Sequence, residues 1–168
     1  AKLHGDKKAE DFDRLAKAIL DETPNHLPVL VEQLKRLDSE ASRKKNLEKI
    51  TTIADTIIAQ IDTGALASHY GVKLKLDDDE AKAKRAKLDK KLNTMTDALY
   101  RKGRALAYLE TQLREGENAG TDETKGKVKA LDGQFEANFA ELQKWAETTD
   151  DKFVLLHIRR ENRHDRLA

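Results

Sequence analysis

Four side chains with metal-ligand chemistry, His157, Glu161, His164 and Asp165, follow one another at steps of four, three and one. On a helix that spacing brings most of them near one face, which is what a divalent cation would need. The order is not His-Glu-x-x-His, and Arg159, Arg160 and Arg163 lie among them and oppose a cation, so a solvated ion-pair face accounts for the group. Asp77-Asp78-Asp79-Glu80 lacks the alternating ligands and central glycine of a calcium loop. Its carboxylates suit the start of a helix, where unbonded N–H groups favour negative charge. Nucleophilic catalysis would need a serine or threonine held by a base, with no cysteine to substitute for it. The serines, Ser39, Ser42 and Ser68, stand in no Gly-x-Ser-x-Gly elbow, and capping of a helix start explains the first two. No glycine pattern matches a phosphate-cradling loop, so neither a cofactor nor a metal is expected. Six basic residues between Lys82 and Lys91, and four arginines between Arg159 and Arg166, form local positive patches. Without interleaved aromatics they fit solvated helix faces better than a nucleic-acid surface.

The elements that would carry these residues are helices. Phe12, Leu15, Ala16, Ile19 and Leu20 recur at three and four, which predicts a helix over about Lys8 to Glu22, stopped by Thr23-Pro24. A second begins near Pro28 and buries Leu27, Leu30, Val31, Leu34 and Leu37. From about Ser39 to Asp62 the seam Leu47, Ile50, Ala54, Ile57, Ile61 is widened by Ile53 and Ile58, which implies two neighbours. A short helix should span Thr63 to Gly71. One long helix is expected from Asp77 to about Glu115, with the seam Leu88, Leu92, Met95, Leu99, Leu106, Leu109, Leu113 missing a beat at Lys102. Gly103 costs about 1 kcal/mol against alanine there, and a break at it is the alternative, but with Ala107 it forms a small patch that another helix could approach. Gly116 to about 127 is expected to be a flexible insertion. Val128, Leu131, Phe135, Phe139, Leu142 and Trp145 form the next seam, and Phe153, Val154, Leu155 and Ile158 a last helix. The expected fold is therefore all-α, with antiparallel helix pairs stacked as a bundle or short tetratricopeptide-like superhelix around one long central helix.

Composition sets the same bounds. Of 168 residues 38% are charged and 38% hydrophobic, so apolar side chains must lie in narrow stripes on helices with wet backs. That length suits one domain over residues 1–168. A chain that opens Ala1-Lys2 and has Met95 as its only methionine reads as a fragment of a larger one. Lys and Arg number 32 against 31 for Asp and Glu, and a net charge of +1 gives no bulk attraction to nucleic acid or an anionic membrane, so neither is an expected partner. The absence of cysteine suits an intracellular protein.

Several segments together resemble the C-terminal helical region of the tripeptidyl-peptidase II family. HLPVLVEQLKRLDSE at His26 to Glu40 is similar to the family's Leu-Pro-led helix ending Leu-Asp-x-Glu. IIAQIDTGALASHYGVK at Ile57 to Lys73 carries Ile-Asp-x-x-Ala-Leu-Ala, and DALYRKGRALAYLE at Asp97 to Glu110 carries Asp-Ala-Leu-x-Arg-Lys-Gly-x-Ala-Leu-Ala, in the same order. KWAETTDDKF at Lys144 to Phe153 is a weaker match, and Gly116 to Lys129 does not match. The resemblance implies a cytosolic subtilisin-like serine exopeptidase that removes tripeptides from peptide N-termini downstream of the proteasome, with its Asp, His and Ser triad in another domain. No position here matches those catalytic motifs, so His4, His26, His69, His157, His164 and the serines inherit no catalytic role. The segment would be a non-catalytic helical domain whose partners are the other domains and subunits of a homo-oligomeric parent, peptide substrates being handled elsewhere. Interface residues on that view are Gly103, Ala107, Phe139, Trp145, Phe153 and Ile158. The rival is a free-standing helical adaptor with a groove for a partner helix or peptide.

Overall fold

In a computed structural model the described residues are 2–71 and 79–148. They form helices α1 (Lys2–Glu22), α2 (Leu27–Leu37), α3 (Leu47–Ala59), α4 (Thr63–Gly71), α5 (Asp79–Glu115) and α6 (Asp122–Thr148), with a 3₁₀ turn at Arg43–Lys45 between α2 and α3. Among the described residues there is no strand, as the composition requires. The last expected helix, with Phe153 and Ile158, lies outside the described residues, as do His157, Glu161, His164, Asp165 and the arginines from Arg159 to Arg166.

Helix α5, at 37 residues, runs about 55 Å and is the axis of the fold. It packs most extensively against α6 and α3; α2 lies on α3, and α1 on α2. Leu30, Leu34, Leu47, Ile50, Ile57, Leu66, Met95, Leu99 and Trp145 belong to one continuous core, and Leu106, Ala107 and Phe135 form a second, smaller cluster between α5 and α6. The widened α3 seam is explained by its two neighbours: Ile50, Ala54 and Ile57 are fully enclosed, while Ile53 and Ile58 pack at the margin. The missed beat of the α5 seam is also explained. Lys102 extends its Nζ to Asp55 Oδ1 of α3, 2.6 Å away, so the long aliphatic stem covers apolar surface while its charge is paired.

α5 passes through Gly103 as the one long helix expected, because its neighbours supply the packing that offsets a weak helix former. Other local details differ from the sequence expectation. α6 begins at Asp122, inside the stretch expected to be flexible. Thr121 Oγ1 accepts the N–H of Thr124 at 3.2 Å, capping that helix, and residues 116–121 close a hydrogen-bonded turn. Ser42 precedes the 3₁₀ turn but makes no side-chain cap bond. The start of α4 is capped as well, where Asp62 Oδ1 accepts the Ala65 N–H at 2.9 Å. On α1, Ala16 and Leu20 face the protein, whereas Leu15 and Ile19 are 59% and 39% exposed, because α2, its main neighbour among the described elements, does not cover the whole apolar stripe.

Candidate functional site

The densest polar constellation surrounds Asp38, the residue that ends α2. Its position follows from helical spacing: it stands four residues after Leu34 and eight after Leu30, on the stripe that α2 turns to the core, and its side chain is fully buried. A carboxylate taken out of water needs charged partners and donors for its lone pairs. Three arginines supply them. Arg43, in the 3₁₀ turn, donates from Nε to Asp38 Oδ1 at 2.7 Å and from Nη2 to the Asp38 carbonyl at 2.8 Å, closing the end of α2 with a cation where the helix dipole favours one. Arg101 Nη1 donates to Oδ2 at 2.8 Å, and Arg104 Nη2 donates to the same oxygen. Arg101 and Arg104 share a face of α5 because they are three residues apart.

The surroundings keep these groups charged. Arg101 Nε also donates to Asp97 at 3.0 Å, one turn back on α5. The Arg104 guanidinium lies 5.1 Å from the Tyr100 ring centre and that of Arg43 5.8 Å from Tyr108, distances at which ring quadrupoles attract cations. Burial pulls Arg43 down, but the hydrogen bond and charge of Asp38, reinforced by Tyr108, outweigh it and hold the guanidinium above its ordinary value. Arg101 is likewise raised: burial opposes its charge, and Asp97 and then Asp38 more than restore it. Permanently charged arginines cannot shuttle protons, so the cluster is suited to locking α2, the 3₁₀ turn and α5 together and to holding anions, not to acid–base catalysis.

A second polar contact fixes α6 on α5. The buried Asn138 donates from Nδ2 to the Leu99 carbonyl at 2.7 Å. A Cβ placed on Gly103 would stand 3.0 Å from that same Nδ2, so the glycine makes room for the amide to reach the α5 backbone.

Gly103 and Ala107 therefore do form a patch that admits a close helix, and the helix is α6 of the same chain. Trp145 is 1% exposed, with its Nε1 donating to Glu141 Oε1 at 2.6 Å, and Phe139 is partly buried, stacked on Phe135 with ring centres 6.5 Å apart. Gly103, Ala107 and Trp145 are buried by internal packing within this chain. Phe153 and Ile158 lie outside the described residues. Among the described residues no group of three or more His, Cys, Asp or Glu side chains could hold a metal ion, and no helix is long and apolar enough to cross a membrane. A crevice at the α5–α6 turn, lined by Gln112, Gly116, Asn118, Thr121 and Lys127 among others, contains no histidine or serine.

The Asp38 cluster escaped the sequence reading because two of its three arginines, Arg101 and Arg104, are 63 and 66 residues away, beyond any local pattern. The signal available was an aspartate on an otherwise apolar stripe. Asn138, four residues before Leu142 and three after Phe135, was the same kind of signal.

Among its described residues the chain is all-helical and presents no recognisable catalytic constellation, and the proteins it is similar to are peptidases by name. It is similar to tripeptidyl-peptidase 2 of Arabidopsis thaliana, 30% identical over 170 aligned positions that take in 99% of this chain. Tripeptidyl-peptidase 2 of Oryza sativa subsp. japonica is 31% identical across 92% of it, and that of Drosophila melanogaster 39% identical across 45%. These similarities bear out the resemblance read from the motifs, and they relate the chain to a segment of tripeptidyl-peptidase 2. The chain spans only 12% and 11% of the lengths of the two plant proteins. No protein-family profile matches it, and no solved structure does. Asp38 falls in the Leu-Asp-x-Glu segment and Arg101 in the Arg-Lys-Gly segment of the resemblance, so the cluster joins two of the stretches that carry it.

Proposed function

We propose that the chain is a non-catalytic C-terminal helical domain of a cytoplasmic tripeptidyl-peptidase 2, contributing to subunit architecture and oligomeric assembly. The parent would release tripeptides from peptide N-termini downstream of the proteasome, with its serine-protease triad outside this segment. The observation that carries the reading is the similarity to tripeptidyl-peptidase 2 along 99% of the chain. The fold agrees with a role played through rigidity. Gly103, Ala107, Phe139 and Trp145 would act by keeping α5 and α6 packed, while Phe153 and Ile158 would meet neighbouring domains or subunits. In this reading the partners are the parent's own domains and further copies of it, arranged in a tetratricopeptide-like manner.

Deleting the corresponding stretch from full-length Arabidopsis tripeptidyl-peptidase 2 tests the proposal. The expected result is smaller particles, measured by light scattering, that still hydrolyse tripeptide substrates at each titrated active serine. Unchanged particle mass would refute the assembly role. Loss of serine titration in a folded protein, or tripeptide release by the isolated chain, would refute the non-catalytic assignment.

A further inference from the structure

The Asp38 cluster holds more positive charge than it neutralises. Among the described residues, Arg43, Arg101 and Arg104 bring three charges, and Asp38 and Asp97 bring two of opposite sign, which leaves one positive charge without a paired carboxylate. Donors also outnumber acceptors. Each guanidinium carries five N–H groups, and the bonds to Asp38 and Asp97 use a minority of them. The Nε of Arg104 has no acceptor among the described residues, but it is buried, so the donors open to a ligand are the Nη groups. Unlike Asp38, the three arginine side chains reach solvent, at 16%, 20% and 19% exposure, so each retains an open edge around the buried carboxylate. Tyr100 and Tyr108 stack on two of them and limit their freedom, which prepares the donors for a ligand.

The geometry points to a carboxylate-binding site at the solvent edge of this cluster, where Arg43, Arg101 and Arg104 take the carboxylate of an acidic side chain brought by a neighbouring polypeptide. Guanidinium forks match a planar carboxylate, and three of them already hold one here. Within the three-arginine cluster a single carboxylate neutralises the remaining charge, whereas a phosphate dianion would also have to draw on Lys44 and Lys45 outside it. The lysines next to Arg43 in the 3₁₀ turn, Lys44 and Lys45, are exposed and would attract an acidic segment before it docks. The site concerns this chain alone and does not depend on the assembly role proposed above.

The test is a titration of the full 168-residue chain with N-acetylglutamic acid α-amide, a glutamate side chain without other charges, at constant ionic strength, following the arginine Nε–Hε resonances by NMR. Saturable shifts of Arg43, Arg101 and Arg104, with half-saturation on the order of millimolar and loss of saturation in Arg104→Met, are expected. Arg85→Met, on an exposed part of α5, should leave them intact. Should Arg104→Met fail to fold by circular dichroism, Arg101→Lys takes its place, since it keeps the charge but loses the fork, and at least tenfold weaker binding is expected. Absent or non-saturating shifts, or saturation that survives these substitutions, would overturn the site. Inorganic phosphate binding more tightly than the glutamate probe would overturn its assignment to carboxylates.

Discussion

Arg101 Nη1 reaches across 63 residues of chain to donate to Asp38 Oδ2 at 2.8 Å, pinning the end of α2 to the middle of the longest helix. Removing the carboxylate leaves three cations facing one another in a partly dry site. Asp38→Ala should therefore cost about 3–5 kcal/mol of unfolding free energy. Urea unfolding followed by circular dichroism measures it. The exposed pair Lys17–Asp21, at 2.5 Å, is the control, and Asp21→Ala should change stability by less than about 1 kcal/mol.

Gly103 and Asn138 form a coupled pair. In the native background Gly103→Ala gains about 1 kcal/mol of helix propensity but presses on the Asn138 amide, weakening a buried hydrogen bond worth a similar amount. In an Asn138→Ala background the pressure is gone and the same substitution should stabilise. A double-mutant cycle on unfolding free energies should give a coupling of about 0.5–3 kcal/mol in that direction, and simple additivity would contradict the packing described here. Gly103→Leu, too large for either background, should destabilise both.

Trp145 is the largest fully buried side chain, and Trp145→Ala should cost about 3–5 kcal/mol by opening a cavity between α6 and the rest of the core. Loss of the tryptophan's own fluorescence makes circular dichroism the appropriate probe.

The raised arginines give the pH dependence a definite sign. A group whose folded-state value lies above its unfolded one contributes stability that is complete below the unfolded value and lost only as pH rises through the folded value. Arg43 and Arg101 are both raised from an already strongly basic value, so the lock stays intact throughout the ordinary alkaline range. The cost of Arg43→Met should accordingly be the same at pH about 7 and about 9.5, measured by urea unfolding at each. Glu123 is lowered by its hydrogen bond and ion pair with Lys127, so any contribution from that exposed pair is present above the ordinary carboxylate range and fades as pH falls through it.

Helices α2 to α6 were legible because apolar residues at steps of three and four mark buried faces without reference to the partner. Gly103 was legible as a small-residue patch for the same reason. Which helix would fill that patch was not, since Asn138 recognises the Leu99 carbonyl through a bond across 39 residues. Leu15 and Ile19 show the opposite limit: their spacing says that α1 has an apolar face, but not that only part of it finds a neighbour. The turn at Gly116 to Thr121 looked flexible from its glycines, while the Thr121 cap that starts α6 depends on a hydroxyl geometry that composition does not carry.

In the proposed function this helical unit shapes assembly through its internal packing. The direct measurement is the mass, by light scattering, of full-length Arabidopsis tripeptidyl-peptidase 2 in which this chain replaces the matching stretch, with and without Asp38→Ala. The native-sequence chimera should reach the mass of the parent, and the Asp38→Ala chimera should form smaller particles with tripeptide release per active serine preserved. Equal masses for both chimeras, with the Asp38→Ala domain shown to be unfolded within the particle, would contradict the claim.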